Sequence, residues 1–151
     1  MIRDNLVTGN GFQHPIKNDV WGSGIIIDQS RDVQIYNNTV EDNAAGITAV
    51  QEPAADPCGY GVAAVVNLSV HDNVFRQPTG IAAGTRLRNE SDQNYYWTKN
   101  NEWVNNDYIL SDLGTGLQLF LDERADRCRR MALDQPRLAS SLKTIGTSCE
   151  F

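Results

Sequence analysis

The sequence has no long apolar run and little clustered positive charge, since its one dense basic run, Arg124 to Arg130, has acidic neighbours. No stretch approaches the roughly 18 apolar residues that a membrane-spanning helix needs. The 13 basic residues are mostly scattered and are outnumbered by 19 acidic ones, so the net charge is −6. Phosphate contacts require a dense basic face. These absences argue against a membrane span and against a nucleic-acid partner.

Cysteine is also scarce, with only Cys58, Cys128 and Cys149 in the chain. The three residues form no CxxC pair and no Cys/His cluster, so the sequence shows no metal-type spacing and demands no cofactor. Two interpretations stay open: three isolated thiols, or a disulfide between Cys128 and Cys149, which implies an oxidising compartment. The first residues also lack the apolar segment of a signal peptide.

What the sequence does contain is a repeat of short strand-like segments. Asn, Asp, Gly, Val and Ile recur throughout, which is typical of an all-β chain with many turns. Four segments align on an asparagine, with spacings of 33, 35 and 28 residues. The aligned residues are Asn5, Asn38, Asn73 and Asn101. A second set of segments opens with a Gly-Ile pair at Gly24, Gly46 and Gly80.

Stacking of these units predicts which side chains enter a core, because one unit is too small to bury its own apolar face. Alternation directs Val33, Ile35, Leu68 and Val70 inward and directs Gln34, Tyr36, Ser69 and His71 outward. The asparagines fall at the corners, where stacked amides can hydrogen-bond along the stack. The alternative is that they mark hairpin turns in a sandwich or meander.

The repeat resembles that of a known superfamily. The run from Val33 to Ile47 reads VxIxNNxVxDNxxGI, and this pattern is similar to the coils of right-handed parallel β-helix proteins, a superfamily that contains pectate lyases and mannuronan epimerases. The resemblance covers residues 1–107 and implies an all-β, right-handed parallel β-helix of a few coils. It also implies a secreted or cell-surface protein that acts on polysaccharide, but no single activity.

The two ends of the chain carry further expectations. The first copy starts at Ile2, so we expect β-helix coils upstream of Met1 and interpret the chain as the C-terminal part of a longer solenoid. Residues 108–151 are predicted to form a C-terminal cap. A strand is predicted at Leu117–Leu121 and an amphipathic helix at Asp134–Lys143, which begins with a capping Asp and an early Pro.

Candidate ligand-binding residues come from an outward row of the stack. The residues that precede each Asx-Asn pair are Arg3, Tyr36, His71 and Lys99, and we expect them to line up along the stack axis. Tyr36 is expected to stack on a sugar ring, and Arg3 or Lys99 to pair with a carboxylate. The alternative is that any outward row is polar. The row of the Gly-Ile strands, Ile26, Thr48 and Ala82, carries no acid or base.

Catalytic groups are therefore expected to come from the flanks of the strands. His14 or Lys17, in a long loop with Asp19 and Trp21, can act as base, while Arg86 or Arg88 neutralises a uronate carboxylate. Asp28 with Glu52 is the candidate carboxylate pair for glycoside hydrolysis. Asp56 lies in the loop at 51–61. Trp21 is also a candidate ligand contact.

Three functions are compatible with these residues. The first is a secreted carbohydrate-active protein that binds or processes polysaccharide as a lyase, epimerase or hydrolase. The second is a glycan-binding or adhesion module without turnover. The third is a scaffold. Fold alone does not decide between them, and the sequence leaves open whether the protein is an enzyme.

Overall fold

The computed structural model describes residues 1–12, 20–52, 59, 61, 63–76, 81–87, 99–109, 118–124 and 127–130. These residues are mostly short strands with one 3-10 helix at Val20–Gly22. In chain order, the strands within the described part are β1 (Ile2–Arg3), β2 (Leu6–Thr8), β3 (Ser23–Asp28), β4 (Gln34–Tyr36), β5 (Thr39–Glu41), β6 (Ala45–Gln51), β7 (Ser69–His71), β8 (Val74–Arg76), β9 (Ile81–Leu87), β10 (Glu102–Val104), β11 (Asp107–Tyr108), β12 (Gln118–Arg124) and β13 (Arg127–Arg130).

The strands form three sheets that the chain visits in a fixed cyclic order. The first sheet has the order β1-β4-β7-β10, the second β2-β5-β8-β11, and the third β3-β6-β9-β12-β13. Every pairing in the first two sheets is parallel. In the third sheet only β12 and β13 are antiparallel. The expected all-β class and parallel stacking are confirmed, and the hairpin alternative is wrong for the asparagine segments, whose strands pair in parallel.

Alternation along each strand directs one side of every sheet into a common core. In the first sheet, Ile2 pairs with Ile35, Ile35 with Val70, and Val70 with Trp103. Ile35, Val70 and Trp103 are buried. They form one cluster with residues of the other sheets, including Ile47 and Phe75. Each such buried side chain contributes about 1.5–3 kcal/mol, so stacking provides the core that one unit lacks.

The asparagine ladder is a column formed by Asn5, Asn38, Asn73 and Asn106 at the corner between the first and second sheets. In each step, the backbone N–H and the side-chain amide of one asparagine donate to Oδ1 of the next, over 2.9–3.1 Å. Asn10 and Asn43 repeat this arrangement at the next corner. The predicted role of asparagine at the corners is confirmed.

The residue before each ladder asparagine has a left-handed backbone conformation. The φ angles of Asp4, Asn37, Asp72 and Asn105 lie between 53° and 58°. Asn and Asp adopt this region more readily than most other residues because their side chains hydrogen-bond locally. The Asx-Asn dipeptide therefore encodes both halves of the corner, the turn itself and the stacked amide.

The predicted alignment of the fourth copy is wrong by five residues. Trp103 pairs with Val70, and Asn106, rather than Asn101, accepts hydrogen bonds from Asn73. Asn101 lies at the preceding corner, where its Oδ1 accepts from the backbone N–H of Leu68 at 2.9 Å. The bulky side chain of Trp103 is buried and occupies the core position next to Val70. The fourth strand of the first sheet therefore lies five residues later in the sequence than predicted.

The predicted alignment of the third Gly-Ile strand is also wrong, by two residues. Ile47 pairs with Ala83 and Thr48 with Gly84, so Gly84 rather than Ala82 continues the outward row. Thr48, expected to be exposed, is fully buried. The 3-10 helix covers this part of the third sheet, and the Thr48 hydroxyl donates to the Val20 carbonyl at 3.1 Å.

The third sheet extends beyond the predicted end of the coils. β12 overlaps the predicted strand Leu117–Leu121 and pairs in parallel with β9. The predicted helix Asp134–Lys143 and the proposed partner cysteine Cys149 lie outside the described residues. None of the described segments forms a helix that is long and apolar enough to cross a membrane.

Candidate functional site

The candidate site lies on the outer face of the first sheet. Arg3 pairs with Tyr36, and Tyr36 pairs with His71. We call these three residues the exposed row. The next residue in the row is Val104. Three members of the predicted row are therefore confirmed in position, and the fourth, Lys99, is wrong.

Lys99 occupies a different column of the stack. Its carbonyl accepts the N–H of Asn67 at 2.9 Å, as the Val66 carbonyl accepts the N–H of Asp32 at 2.8 Å. Arg31 and Val66 form a parallel bridge. Lys99 thus follows Arg31 and Val66 at the corner before the first sheet, because it belongs to the misaligned fourth copy.

The rings of Tyr36 and His71 stack on each other along the axis of the first sheet. Their centroids are 5.0 Å apart and their planes differ by 7°. This contact covers one face of the phenol ring, so a sugar ring cannot stack there as expected unless His71 moves. The Tyr36 hydroxyl donates to Sδ of Met1 at 3.2 Å. The edges of the two rings are left for ligand contacts.

Arg3 and His71 each contact the carboxylate of the residue that follows in sequence. Arg3 Nη1 lies 3.5 Å from Asp4 Oδ2, and His71 Nδ1 lies 2.7 Å from Asp72 Oδ2. The left-handed corner produces both contacts, since Asp4 and Asp72 have equivalent backbone conformations. The row therefore presents paired donors and acceptors rather than a block of positive charge.

A second polar contact flanks the exposed row on the same face. Ser69 and Glu102 pair in register, two residues before His71 and Val104. The Ser69 hydroxyl donates to Glu102 Oε1 at 2.9 Å. Hydroxyl, carboxylate, imidazole, phenol and guanidinium groups thus occur within two columns of one sheet. Such a surface can exchange hydrogen bonds with the hydroxyls of a ligand.

Two of the predicted catalytic residues lie on the third sheet. Asp28 pairs with Val50, and Val50 pairs with Arg86, so two strand spacings, roughly 10 Å, separate their backbones. Trp21 is 41% exposed on the 3-10 helix that covers the same sheet. None of the three joins the exposed row. The catalytic roles of Asp28 and Arg86 and the ligand contact of Trp21 stay predictions.

The remaining candidates fall on parts of the chain without a described position. His14, Lys17, Asp19, Asp56 and Arg88 lie outside the described residues. Glu52, the proposed partner of Asp28, is half-buried and directly follows β6. The proposed acid and base pairs stay predictions.

Sequence reasoning missed the contacts within the row and its correct fourth member. Asn106 follows Asn73 by 33 residues, the same interval that separates Asn5 from Asn38, whereas the chosen Asn101 follows by only 28. Equal spacing would have identified the right copy. The sequence indicated the stacking of Tyr36 on His71 only through their equivalent positions in two copies of the repeat.

Within the described part of the chain, no group of three or more His, Cys, Asp or Glu side chains is placed to hold a metal ion. Comparison with known proteins gives no relative to argue from, since no family model, no curated protein and no solved structure matches the chain. The functional argument therefore depends on the geometry of the exposed row.

Proposed function

We propose that the three sheets form a right-handed parallel β-helix, similar to those of the pectate-lyase-like superfamily. The cyclic order in which the chain visits the sheets supports this proposal. So does the asparagine ladder, which occupies one corner of each turn. The repeat pattern of residues 33–47 is the resemblance that suggests the superfamily.

We further propose that the protein is a secreted or cell-surface protein that binds polysaccharide along the exposed row. The observation that carries this proposal is the register that aligns Arg3, Tyr36 and His71 on one open face. Neighbouring strands are about 4.8 Å apart, a spacing similar to the advance of one sugar in an extended chain. Equivalent groups therefore meet successive sugars when the polymer lies along the stack.

The contacts of the row favour recognition of sugar hydroxyls over recognition of a polyanion. Asp4 and Asp72 lie beside Arg3 and His71 at 3.5 Å and 2.7 Å, and their carboxylates oppose the approach of further carboxylates. A carboxylate and a neighbouring nitrogen together accept and donate to adjacent hydroxyls, and such charge-assisted hydrogen bonds are strong. We therefore expect neutral polysaccharides to bind better than uronate polymers.

Binding to a panel of neutral and uronate polysaccharides tests this function, with affinities measured by isothermal titration calorimetry on the full chain. Tyr36→Ala and Arg3→Ala are expected to weaken binding about tenfold each, or about 1.4 kcal/mol. Arg76→Ala is the matched control, because Arg76 lies on the second sheet and contacts Glu41 at 3.5 Å, the distance of the Arg3 pair. The control should bind like the unsubstituted chain.

Two results would contradict the proposed function. Absence of binding across the panel would favour a scaffold. Equal losses for Arg76→Ala and Arg3→Ala would show that the exposed row is not the binding surface. Preference for uronate polymers would leave polysaccharide binding intact but would make the argument about hydroxyls wrong.

Processing of the bound polymer is the second candidate function, and the contact between His71 and Asp72 favours it. A carboxylate 2.7 Å from Nδ1 orients an imidazole and supports its use as acid or base through Nε2. Incubation with polysaccharide, followed by detection of new reducing or unsaturated ends, tests this activity. Product that persists in His71→Ala would exclude the imidazole from the reaction.

A further inference from the structure

His71 offers one ring nitrogen to a ligand on the outer face of the first sheet. Its Nδ1 lies 2.7 Å from Asp72 Oδ2, and its side chain is 31% exposed. Among the described residues, no hydrogen-bond partner contacts Nε2. The Tyr36 ring stacks on the imidazole with centroids 5.0 Å apart, which restricts the rotation of the imidazole. Nε2 is therefore the nitrogen that is left for a ligand.

The contact with Asp72 determines which nitrogen carries the proton of the neutral ring. A carboxylate only accepts hydrogen bonds, so Nδ1 is the nitrogen that keeps its proton and donates the hydrogen bond. Nε2 of the neutral imidazole is then an acceptor, and protonation converts it into a donor. A histidine side chain typically changes charge between about pH 5 and 8. Protonation of His71 therefore reverses one hydrogen-bonding group of the exposed row and leaves the contact with Asp72 in place.

The neighbouring strands bring one acidic side chain near His71 on this face. Tyr36 and Val104 occupy the paired positions. Glu102 lies two residues before Val104, and its Oε1 accepts from the Ser69 hydroxyl at 2.9 Å. Carboxyl groups generally ionise at about pH 4 and phenols at about pH 10, so neither type changes charge in the histidine range. Among the described side chains of this face, the imidazole is the group that a change from about pH 8 to about pH 5 protonates.

Neutral side chains separate the acidic residues of the corner beside the exposed row. Asn37 and Asn105 occupy the position of Asp72 at the adjacent levels of the stack, with the same left-handed conformation. Asp4 lies two levels away and contacts Arg3 at 3.5 Å. Asp72 is therefore the one described carboxylate in contact with the imidazole, and it contacts Nδ1 rather than Nε2. The charge gained at Nε2 stays available to a ligand.

We infer that protonation of His71 admits anionic polysaccharides to the exposed row. The inference rests on the proposed polysaccharide binding and adds the residue that selects the ligand. A sugar hydroxyl both donates and accepts, so it can pair with Nε2 whether or not the ring is protonated. A carboxylate or sulfate group only accepts, so the neutral ring repels it, whereas the protonated ring forms a charge-assisted hydrogen bond with it. Neutral polysaccharides bind in both cases, and anionic ones bind when His71 is protonated.

Hydroxyethylcellulose with carboxymethylcellulose, and dextran with carboxymethyl dextran, are matched pairs of probes that share a backbone and differ in charge. Isothermal titration calorimetry on the full chain measures their affinities at about pH 5 and about pH 8. Carboxymethyl groups, like other carboxyl groups, ionise at about pH 4 and stay charged at both. At the lower pH, affinity for the carboxymethylated polymers should rise about tenfold through the charge-assisted hydrogen bond. Affinity for the neutral polymers should change less than about twofold.

Variants at three positions identify the group that responds to pH. His71→Phe keeps a ring against Tyr36 without a titratable nitrogen, and His71→Gln provides a permanent donor and acceptor, so both should lose the rise in affinity. Glu102→Gln and His14→Gln are the controls, because they remove the acidic side chain of the same face and the other histidine of the sequence. Both controls should keep the rise. A rise that persists in both His71 variants, or that either control abolishes, would overturn the inference.

Long-range nitrogen–proton NMR spectra of the imidazole test the protonation of the two nitrogens without a ligand. We expect the proton of the neutral ring on Nδ1, and a proton on Nε2 at about pH 8 would overturn the inference whatever the polymers do. If the neutral polymers bind and the carboxymethylated ones gain no affinity at the lower pH, the inference is wrong and the proposed function stands. If none of the four polymers binds at either pH, both are wrong.

Discussion

Asn73→Ala is the substitution expected to destabilise the fold most directly. The Asn73 side chain accepts from the backbone N–H and amide of Asn38 and donates to the carbonyls of Ile35 and His71 and to Oδ1 of Asn106, all within 2.9–3.0 Å. Asn73 itself is fully buried. The two amide hydrogens are shared among these three acceptors. Two accepted and two donated hydrogen bonds at about 1 kcal/mol each give a loss on the order of 4 kcal/mol, a large part of the ~5–15 kcal/mol that stabilises a typical domain.

Urea unfolding followed by circular dichroism measures this loss against a matched variant. Asn5 belongs to the same ladder but is exposed, and its amide donates only to the Arg3 carbonyl and to Asn38 Oδ1. Water can replace these partners, so Asn5→Ala should cost about 1 kcal/mol or less. Losses for the two variants that agree within about 1 kcal/mol would refute the claim that buried rungs carry the stability of the corners.

Substitutions at two further positions test the core and the corners. Burial raises the pKa of the Tyr108 phenol, whose hydroxyl has no hydrogen-bond partner among the described residues, so Tyr108→Phe should stabilise the fold by about 1 kcal/mol. The unfolded chain ionises this phenol from about pH 10, whereas the folded protein keeps it protonated. The free energy of unfolding is therefore unaffected by this group below that pH and falls as the pH rises above it. Urea unfolding at alkaline pH should show a smaller fall in stability for Tyr108→Phe than for the unsubstituted chain. Asn37 is exposed with a φ of 54°, so Asn37→Ala should cost about 1 kcal/mol and Asn37→Gly almost nothing, as measured by thermal unfolding.

The architecture of the described strands was predictable because the period of the repeat appears directly in the sequence. Alternation identified Ile35, Leu68 and Val70 as core residues, and all three are buried. The asparagine corners were predictable for a similar reason, since a left-handed turn followed by a stacked amide restricts the residue types at both positions.

The strand register was harder to predict where either of two Asn-Asn dipeptides could occupy the same corner. Asn100-Asn101 and Asn105-Asn106 are the same dipeptide, and they are distinguished by the 33-residue interval from Asn73 to Asn106 and by the pairing of Trp103 with Val70. The burial of Thr48 was not predictable, because the 3-10 helix that covers it comes from a distant part of the chain. Local patterns encode strands, but they do not encode which segment covers an outer face.

The candidate site was predictable in position but not in detail. Register alone placed Arg3, Tyr36 and His71 in one row. The stacking of Tyr36 on His71 and the contacts of Arg3 and His71 with carboxylates depend on side-chain rotamers. Local sequence does not determine these rotamers, and the ring stacking and carboxylate pairing expected for a ligand stay predictions.

The parallel register of the first sheet is the claim on which the core, the ladder and the exposed row all depend. Nuclear Overhauser contacts between backbone protons of isotopically labelled protein test it most directly. We expect contacts that join the strand of Ile35 to those of Ile2 and Val70 on its two sides, in the pattern of parallel strands. Antiparallel contacts among these strands, or a register that separates Tyr36 from His71, would contradict the account.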